Sequence, residues 1–136
     1  MNTLDFAPRN LPRSIGAVLA GFVAVFAVTL ATDQLFHVLE VFPPLGEPTT
    51  DTGPLLLALS YRILYGIGGS YLAAMLAPRN PMRHALVMGG IGFVLSIAGG
   101  IVMWDMGAHW YPVAVALTAL PCAWAGAAIF VRRNKK

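Results

Sequence analysis

Few side chains in this sequence can do chemistry, and most of them gather in two places. Asp33, His37 and Glu40 lie in the stretch Asp33-Gln34-Leu35-Phe36-His37-Val38-Leu39-Glu40. At about 100° per helical residue the three fall within a sector of about 60°, so a helix that persists to Glu40 projects all of them from one face. Asp105 and His109 repeat the Asp-x-x-x-His spacing further along. Carboxylates with imidazoles suit zinc, manganese or iron, and the same groups can relay protons inside a membrane. Asp33, His37, Glu40 and His109 are therefore the candidate metal ligands. The simpler reading is preferred: Asp33 neutralises Arg62, and the other groups form a solvated polar rim. No G-x-S-x-G, Walker A or H-E-x-x-H motif is present. The single cysteine, Cys122, excludes an intrachain disulfide, and no Cys/His zinc spacing exists. No catalytic residue and no cofactor is assigned.

Arg62 is the most informative residue. It interrupts an otherwise apolar run, Pro54 to Ala77, and a cation within a membrane helix costs roughly 2.5–3.5 kcal/mol on insertion scales. It needs an anion or water. At 1.5 Å per residue, Arg62 lies roughly 25 Å from the level of Arg79, Asp33 roughly 30 Å beyond Arg13, and Asp105 roughly 33 Å beyond Arg83. An arginine side chain spans the difference, so Asp33 is the expected partner and Asp105 the next. Tyr65 and Gly69 follow Arg62 at i+3 and i+7, which places the cation on the glycine face of its helix. Arg62, Asp33, Tyr65 and Asp105 thus form the expected buried ion pair or polar pathway.

The elements that position these groups follow from composition. Apolar residues make up 57% of the 136 and charged residues only 11%, against roughly 25% charged in a soluble domain. That balance excludes a soluble globular protein, a disordered chain and a coiled coil. Ser14 to Thr32, Ala85 to Trp104 and Tyr111 to Val131 are uncharged, and each approaches the roughly 20 residues that a spanning helix needs. With the Arg62 segment they make four transmembrane helices, expected over 14–40, 54–77, 84–106 and 110–132. A bare backbone finds no partner in lipid, so the runs must be helical. The predicted fold is all-α, a single integral membrane domain over 1–136. The first run is longer than a signal-peptide core, and Thr29-Leu30-Ala31 is a poor cleavage site, so it is read as a retained helix.

Charge sets the orientation. Arg9, Arg13, Arg79, Arg83, Arg132, Arg133, Lys135 and Lys136 fall on one side after four crossings, whereas Glu40, Glu47 and Asp51 fall in the opposite loop. The positive-inside rule then places both termini in the cytoplasm. In this setting the net charge of +3 does not imply nucleic acid. Trp104, Trp110 and Tyr111 read as interfacial aromatics. His84, beside Arg83, suits a headgroup contact.

Ala7-Pro8-Arg9-Asn10 recurs as Ala77-Pro78-Arg79-Asn80, and Ala73-Ala74 before Arg79-Asn80 is matched by Ala127-Ala128 before Arg133-Asn134. The chain therefore reads as two duplicated helical hairpins in parallel orientation, with a pseudo-twofold axis along the membrane normal. Burial against lipid does not drive helix association, so small residues should mark the contacts. Gly16, Ala20 and Ala24 do so in helix 1, Gly66, Ser70 and Ala74 with Gly69 in helix 2, Gly92, Ser96 and Gly100 in helix 3, and Ala119, Ala123 and Ala127 in helix 4. The same stripes serve equally for contacts between chains. Pro121 should kink helix 4.

Three segments carry a resemblance: Ser60-Tyr61-Arg62 leading to Gly68-Gly69-Ser70-Tyr71-Leu72-Ala73-Ala74, then Leu76-Ala77-Pro78-Arg79-Asn80-Pro81-Met82-Arg83-His84-Ala85-Leu86, and His109-Trp110-Tyr111-Pro112 with Leu120-Pro121-Cys122-Ala123-Trp124. In these, helices 2 to 4, the chain resembles a group of small four-helix bacterial inner-membrane proteins. The resemblance implies a bacterial inner membrane. It supplies no activity, substrate or catalytic residue. The sequence thus points to a non-enzymatic membrane module, embedded in the lipid bilayer, that assembles with itself or with a membrane-protein partner. A small-solute or ion transporter working as an oligomer, proton-coupled or not, is the alternative.

Overall fold

The computed structural model describes residues 11–44, 47 and 51–134. Four α-helices follow one another: α1, Leu11–Val38; α2, Thr52–Leu76; α3, Pro81–Val102; and α4, Trp110–Asn134. A single 3-10 turn, Trp104–Met106, joins α3 to α4. Each of the four helices is long and apolar enough to span a bilayer. The chain is an all-α, multi-pass membrane protein built as a four-helix bundle.

The helix ends follow local chemistry and differ from the sequence reading by a few residues. α1 is described from Leu11, with Pro12 in its first described turn. It stops at Val38, and Glu40 turns into the left-handed region at φ 61°, so the helix does not persist to Glu40. α2 ends at Leu76: Ala77 precedes Pro78 and takes an extended conformation, φ −62° and ψ 133°, as a residue before proline favours. Asn80, at φ 49°, tolerates the left-handed turn into α3. Pro81 then opens α3, its missing N–H being one the helix would leave unpaired anyway. α3 stops at Val102 rather than 106, with the Met103 N–H closing onto the Gly99 carbonyl at 2.9 Å. α4 runs through Pro121 and is described as far as Asn134.

The bundle has a basic end, with Arg79, Arg83, Arg132 and Arg133, and an acidic end, with Glu40, Glu47, Asp51 and Asp105. α2 and α4 form a central pair; α1 packs on α2, and α3 packs on α4. α3 also touches α2 and, over a shorter length, α1, whereas α1 and α4 barely meet. A strict twofold relation between hairpins would make the α2–α3 and α1–α4 contacts equivalent, and they are not. The Ala7–Asn10 copy of the repeated block lies outside the described residues.

The tight packing lies toward the basic end. Ala17, Ala73, Ala74, Ala85, Ala123 and Ala127 are all buried there. A Cβ on Gly21 would stand 2.5 Å from the Gly69 carbonyl oxygen, and one on Gly89 2.5 Å from the Ala123 Cβ. One on Gly126 would collide with the Ile67 carbonyl. Each first helix of a hairpin therefore brings an Ala-x-x-x-Gly pair, Ala17/Gly21 or Ala85/Gly89, against its second helix.

The small-residue stripes are used selectively. Gly69 meets Val25 and Gly21, Gly66 meets the Cys122 Cβ, and Gly100 meets the Pro112 ring. Ser70, 1% exposed, caps its own turn by donating to the Gly66 carbonyl at 2.7 Å. Gly92 and Ser96 do not make the expected helix contact: a Cβ on Gly92 meets nothing within 4 Å, and both residues line a cleft. On α1 the packed face is Ala17, Gly21 and Thr29, one residue round from the expected Gly16-Ala20-Ala24 stripe. Gly16 is exposed, with open space around it.

Candidate functional site

Toward the acidic end the last two turns of α1 face the middle of α2, and a polar cluster forms between them. The Arg62 Nη2 donates to Asp33 Oδ2 at 2.6 Å. The Tyr61 hydroxyl donates to the other oxygen, Asp33 Oδ1. Thr32 gives its only hydroxyl proton to the Val28 carbonyl at 2.8 Å, so Tyr65, 2.9 Å away, is the donor to Thr32 Oγ1. Phe36 stacks on Tyr61 with ring centroids 5.7 Å apart, and Phe42 packs on Phe36 at 5.4 Å. These rings cover the cluster from the acidic end.

The ion pair is only partly withdrawn from its surroundings. The Arg62 side chain is 34% exposed and that of Asp33 22%. Within that partial exposure the Arg62 Nε is itself buried and has no partner among the described residues. A buried N–H left without an acceptor costs about 1–3 kcal/mol. The cluster thus has donors to spare.

Beside it opens a cleft of about 690 Å³ between the α1–α2 and α3–α4 hairpins. Its floor lies at Ser70, Met88 and Gly89, and its mouth at Pro43, Pro44 and Ala108. Phe22, Phe26 and Leu95 line the two flanking walls. The glycine and serine face of α3, including Gly92, Ser96 and Gly99, forms part of the same surface. A smaller cavity of about 160 Å³ lies against Asp33 and Phe42. Arg62, His37 and Tyr111 border both cavities, so the guanidinium stands in the wall between them.

The remaining expected site residues are dispersed. His37 holds the loop through a 2.9 Å contact from Nδ1 to the Pro43 carbonyl, which makes Nδ1 the protonated nitrogen. Glu40 lies beyond the end of α1. Asp105 is exposed in the 3-10 turn and is not the ion-pair partner of Arg62. His109 lies flat on Trp104, centroids 4.0 Å apart, and Gly107 separates it from α3. No group of three or more His, Cys, Asp or Glu side chains with the geometry to hold a metal exists among the described residues. The donors proposed for a metal are committed elsewhere, Asp33 to Tyr61 and Arg62, and His37 to the loop.

Sequence reasoning missed Tyr61. The signal was available: a buried carboxylate has two oxygens to satisfy, and Tyr61 directly precedes the arginine that takes one of them. It also missed Tyr111 as a neighbour of the cluster, reading it only as an interfacial aromatic.

At the basic end, Arg133 donates from Nη1 to the Tyr71 hydroxyl at 3.1 Å and lies over the Tyr71 ring. That contact pins the end of α4 to α2.

Fold and site together define a class: a four-helix membrane bundle with an arginine–carboxylate–tyrosine cluster beside an intramembrane cleft. Comparison with known protein families, curated proteins and solved structures finds no match.

Proposed function

We propose that the protein is a non-enzymatic module of the bacterial inner membrane, with both termini cytoplasmic, that assembles with a second copy or with a membrane-protein partner. Orientation rests on the basic residues at one end of the bundle and the acidic residues at the other. The bacterial membrane rests on the resemblance carried by helices 2 to 4. The observation that carries assembly is the Gly16-Ala20-Ala24 stripe. The bundle packs α1 through Ala17 and Gly21 instead, leaving Gly16 exposed and Ala20 and Ala24 only half-buried. A small-x-x-x-small face turned toward lipid lets another backbone approach closely. Gly16→Leu with Ala20→Leu should convert a cross-linkable oligomer in native membranes to monomer without lowering the unfolding temperature. Unchanged cross-linking would refute the reading.

Transport is the second reading, and the cleft favours it, because a space reaching an intramembrane arginine is the beginning of a path. It predicts flux in proteoliposomes that Arg62→Ala abolishes.

A further inference from the structure

The cleft is large enough for a small molecule and built like a site for one. Its volume of about 690 Å³ falls within the roughly 300–1,000 Å³ of ligand pockets, which are mostly apolar with a few placed polar groups. Phe22, Val25, Phe26 and Leu95 supply the apolar walls. Met88, Met103 and Met106 add polarizable sulfur that adapts to an aromatic guest. Arg62 and Tyr111 are among its polar groups, with Thr29, Ser70, Ser96 and Thr118.

Three features restrict the guest. First, the polar side is rich in donors. Asp33 already accepts from Tyr61 and from one Arg62 nitrogen, Nη2, and the partly exposed guanidinium keeps further N–H groups to donate. The guest must bring acceptors. Second, the guest must be neutral. Asp33 already balances the Arg62 charge, and Glu47 stands at the mouth. An anion would add an uncompensated charge in a low-dielectric region. Third, its polar head must reside within hydrocarbon. Arg62 lies ten residues into α2, roughly 15 Å from the helix tip. The 25 residues of α2 exceed a roughly 30 Å hydrocarbon core by only a few Å at each end. A phospholipid headgroup or a fatty-acid carboxylate does not dwell at that depth.

We propose that the cleft binds a membrane-dissolved quinone, its carbonyl oxygens accepting hydrogen bonds from Arg62 and Tyr111 and its apolar tail lying along Phe22, Val25 and Leu95. The proposal is one of binding and assigns no redox step. It does not depend on assembly, because the Gly16-Ala20-Ala24 stripe lies on a different face of α1 from Phe22 and Phe26.

The test uses the full chain in phosphatidylcholine nanodiscs and titrates a decyl-substituted benzoquinone against the tryptophan fluorescence. Trp104 and Trp110 flank Met103, Met106 and Ala108 of the cleft wall. Wild type should show saturable quenching. Decylbenzene, which lacks the acceptors, and decanoate, which carries a charge, should each compete at least tenfold more weakly than the quinone itself. Gly92→Leu with Gly99→Leu should weaken quenching at least tenfold. Those glycines meet nothing within 4 Å, so the variant fills the cleft rather than straining the bundle, and its melting curve checks this. Arg62→Lys gives a second reading, with quinone affinity reduced and decylbenzene affinity unchanged. Non-saturable quenching, equal competition by decylbenzene, tighter binding of decanoate, or wild-type affinity in a folded leucine variant would each overturn the proposal.

Discussion

Each oxygen of the Asp33 carboxylate has its own donor, Arg62 on one and Tyr61 on the other. Removing one member of this set strands the others. Loss of one partner of a fully buried pair costs 3–5 kcal/mol, and the partial exposure here lowers that to about 2 kcal/mol. Asp33→Leu and Arg62→Met should each lower the unfolding midpoint in mixed micelles, and the double variant should recover much of the loss. Tyr61→Phe should cost about 1 kcal/mol, because Arg62 still holds the carboxylate. A double variant with the summed loss of the two single ones would show that the residues do not act as a pair. Their pairing was legible in the sequence, since a lone intramembrane arginine demands an anion and depth counting leaves two acids near its level. Depth counting ranked Asp33 ahead of Asp105, but the feature that removes Asp105 was not legible. Asp105 falls in a 3-10 turn beyond the end of α3, and only the backbone path after Gly99-Gly100 determines that.

On the scale of a helix, the periodicity of small residues located the contacts without fixing which face makes them. In α1 the Gly16-Ala20-Ala24 and Ala17-Gly21 series lie one residue apart, and the packed series is the second. Local sequence cannot separate them, because the choice depends on which partner backbone can approach. Gly21 meets the Gly69 carbonyl and the Ala73 Cβ, contacts distant in sequence. In α3 the reading failed for the opposite reason: Gly92 and Ser96 look like a packing stripe, yet they line space. This divides the glycines into two classes with different mutational outcomes. Gly21→Val and Gly126→Val should destabilise by about 1–3 kcal/mol through overpacking. Gly92→Ala and Gly99→Ala should be neutral or stabilising by up to about 1 kcal/mol, as helix propensity predicts. Thermal unfolding of the four variants side by side measures the difference. Equal losses at Gly21 and Gly92 would mean that the cleft closes in the membrane.

For the whole molecule, the asymmetry between the two ends is the property with the widest consequence. Small residues close the basic half, while the hairpins diverge toward the acidic half and leave the cleft open there. If the basic end is cytoplasmic, the cleft faces the opposite compartment. Single cysteines introduced in a Cys122→Ser background report on both points. An impermeant methanethiosulfonate added to intact cells should label Ala108→Cys at the mouth, and Ser96→Cys deeper in the cleft more slowly. It should label Lys135→Cys only after the membrane is permeabilised. A binding module keeps Ser96→Cys reachable from the acidic side alone. A transporter must in some state open the floor at Met88 and Gly89, so Ser96→Cys would then also react from the basic side in inverted vesicles, and addition of the substrate would change that rate. Labelling of Lys135→Cys in intact cells would invert the orientation and, with it, the compartment onto which the cleft opens.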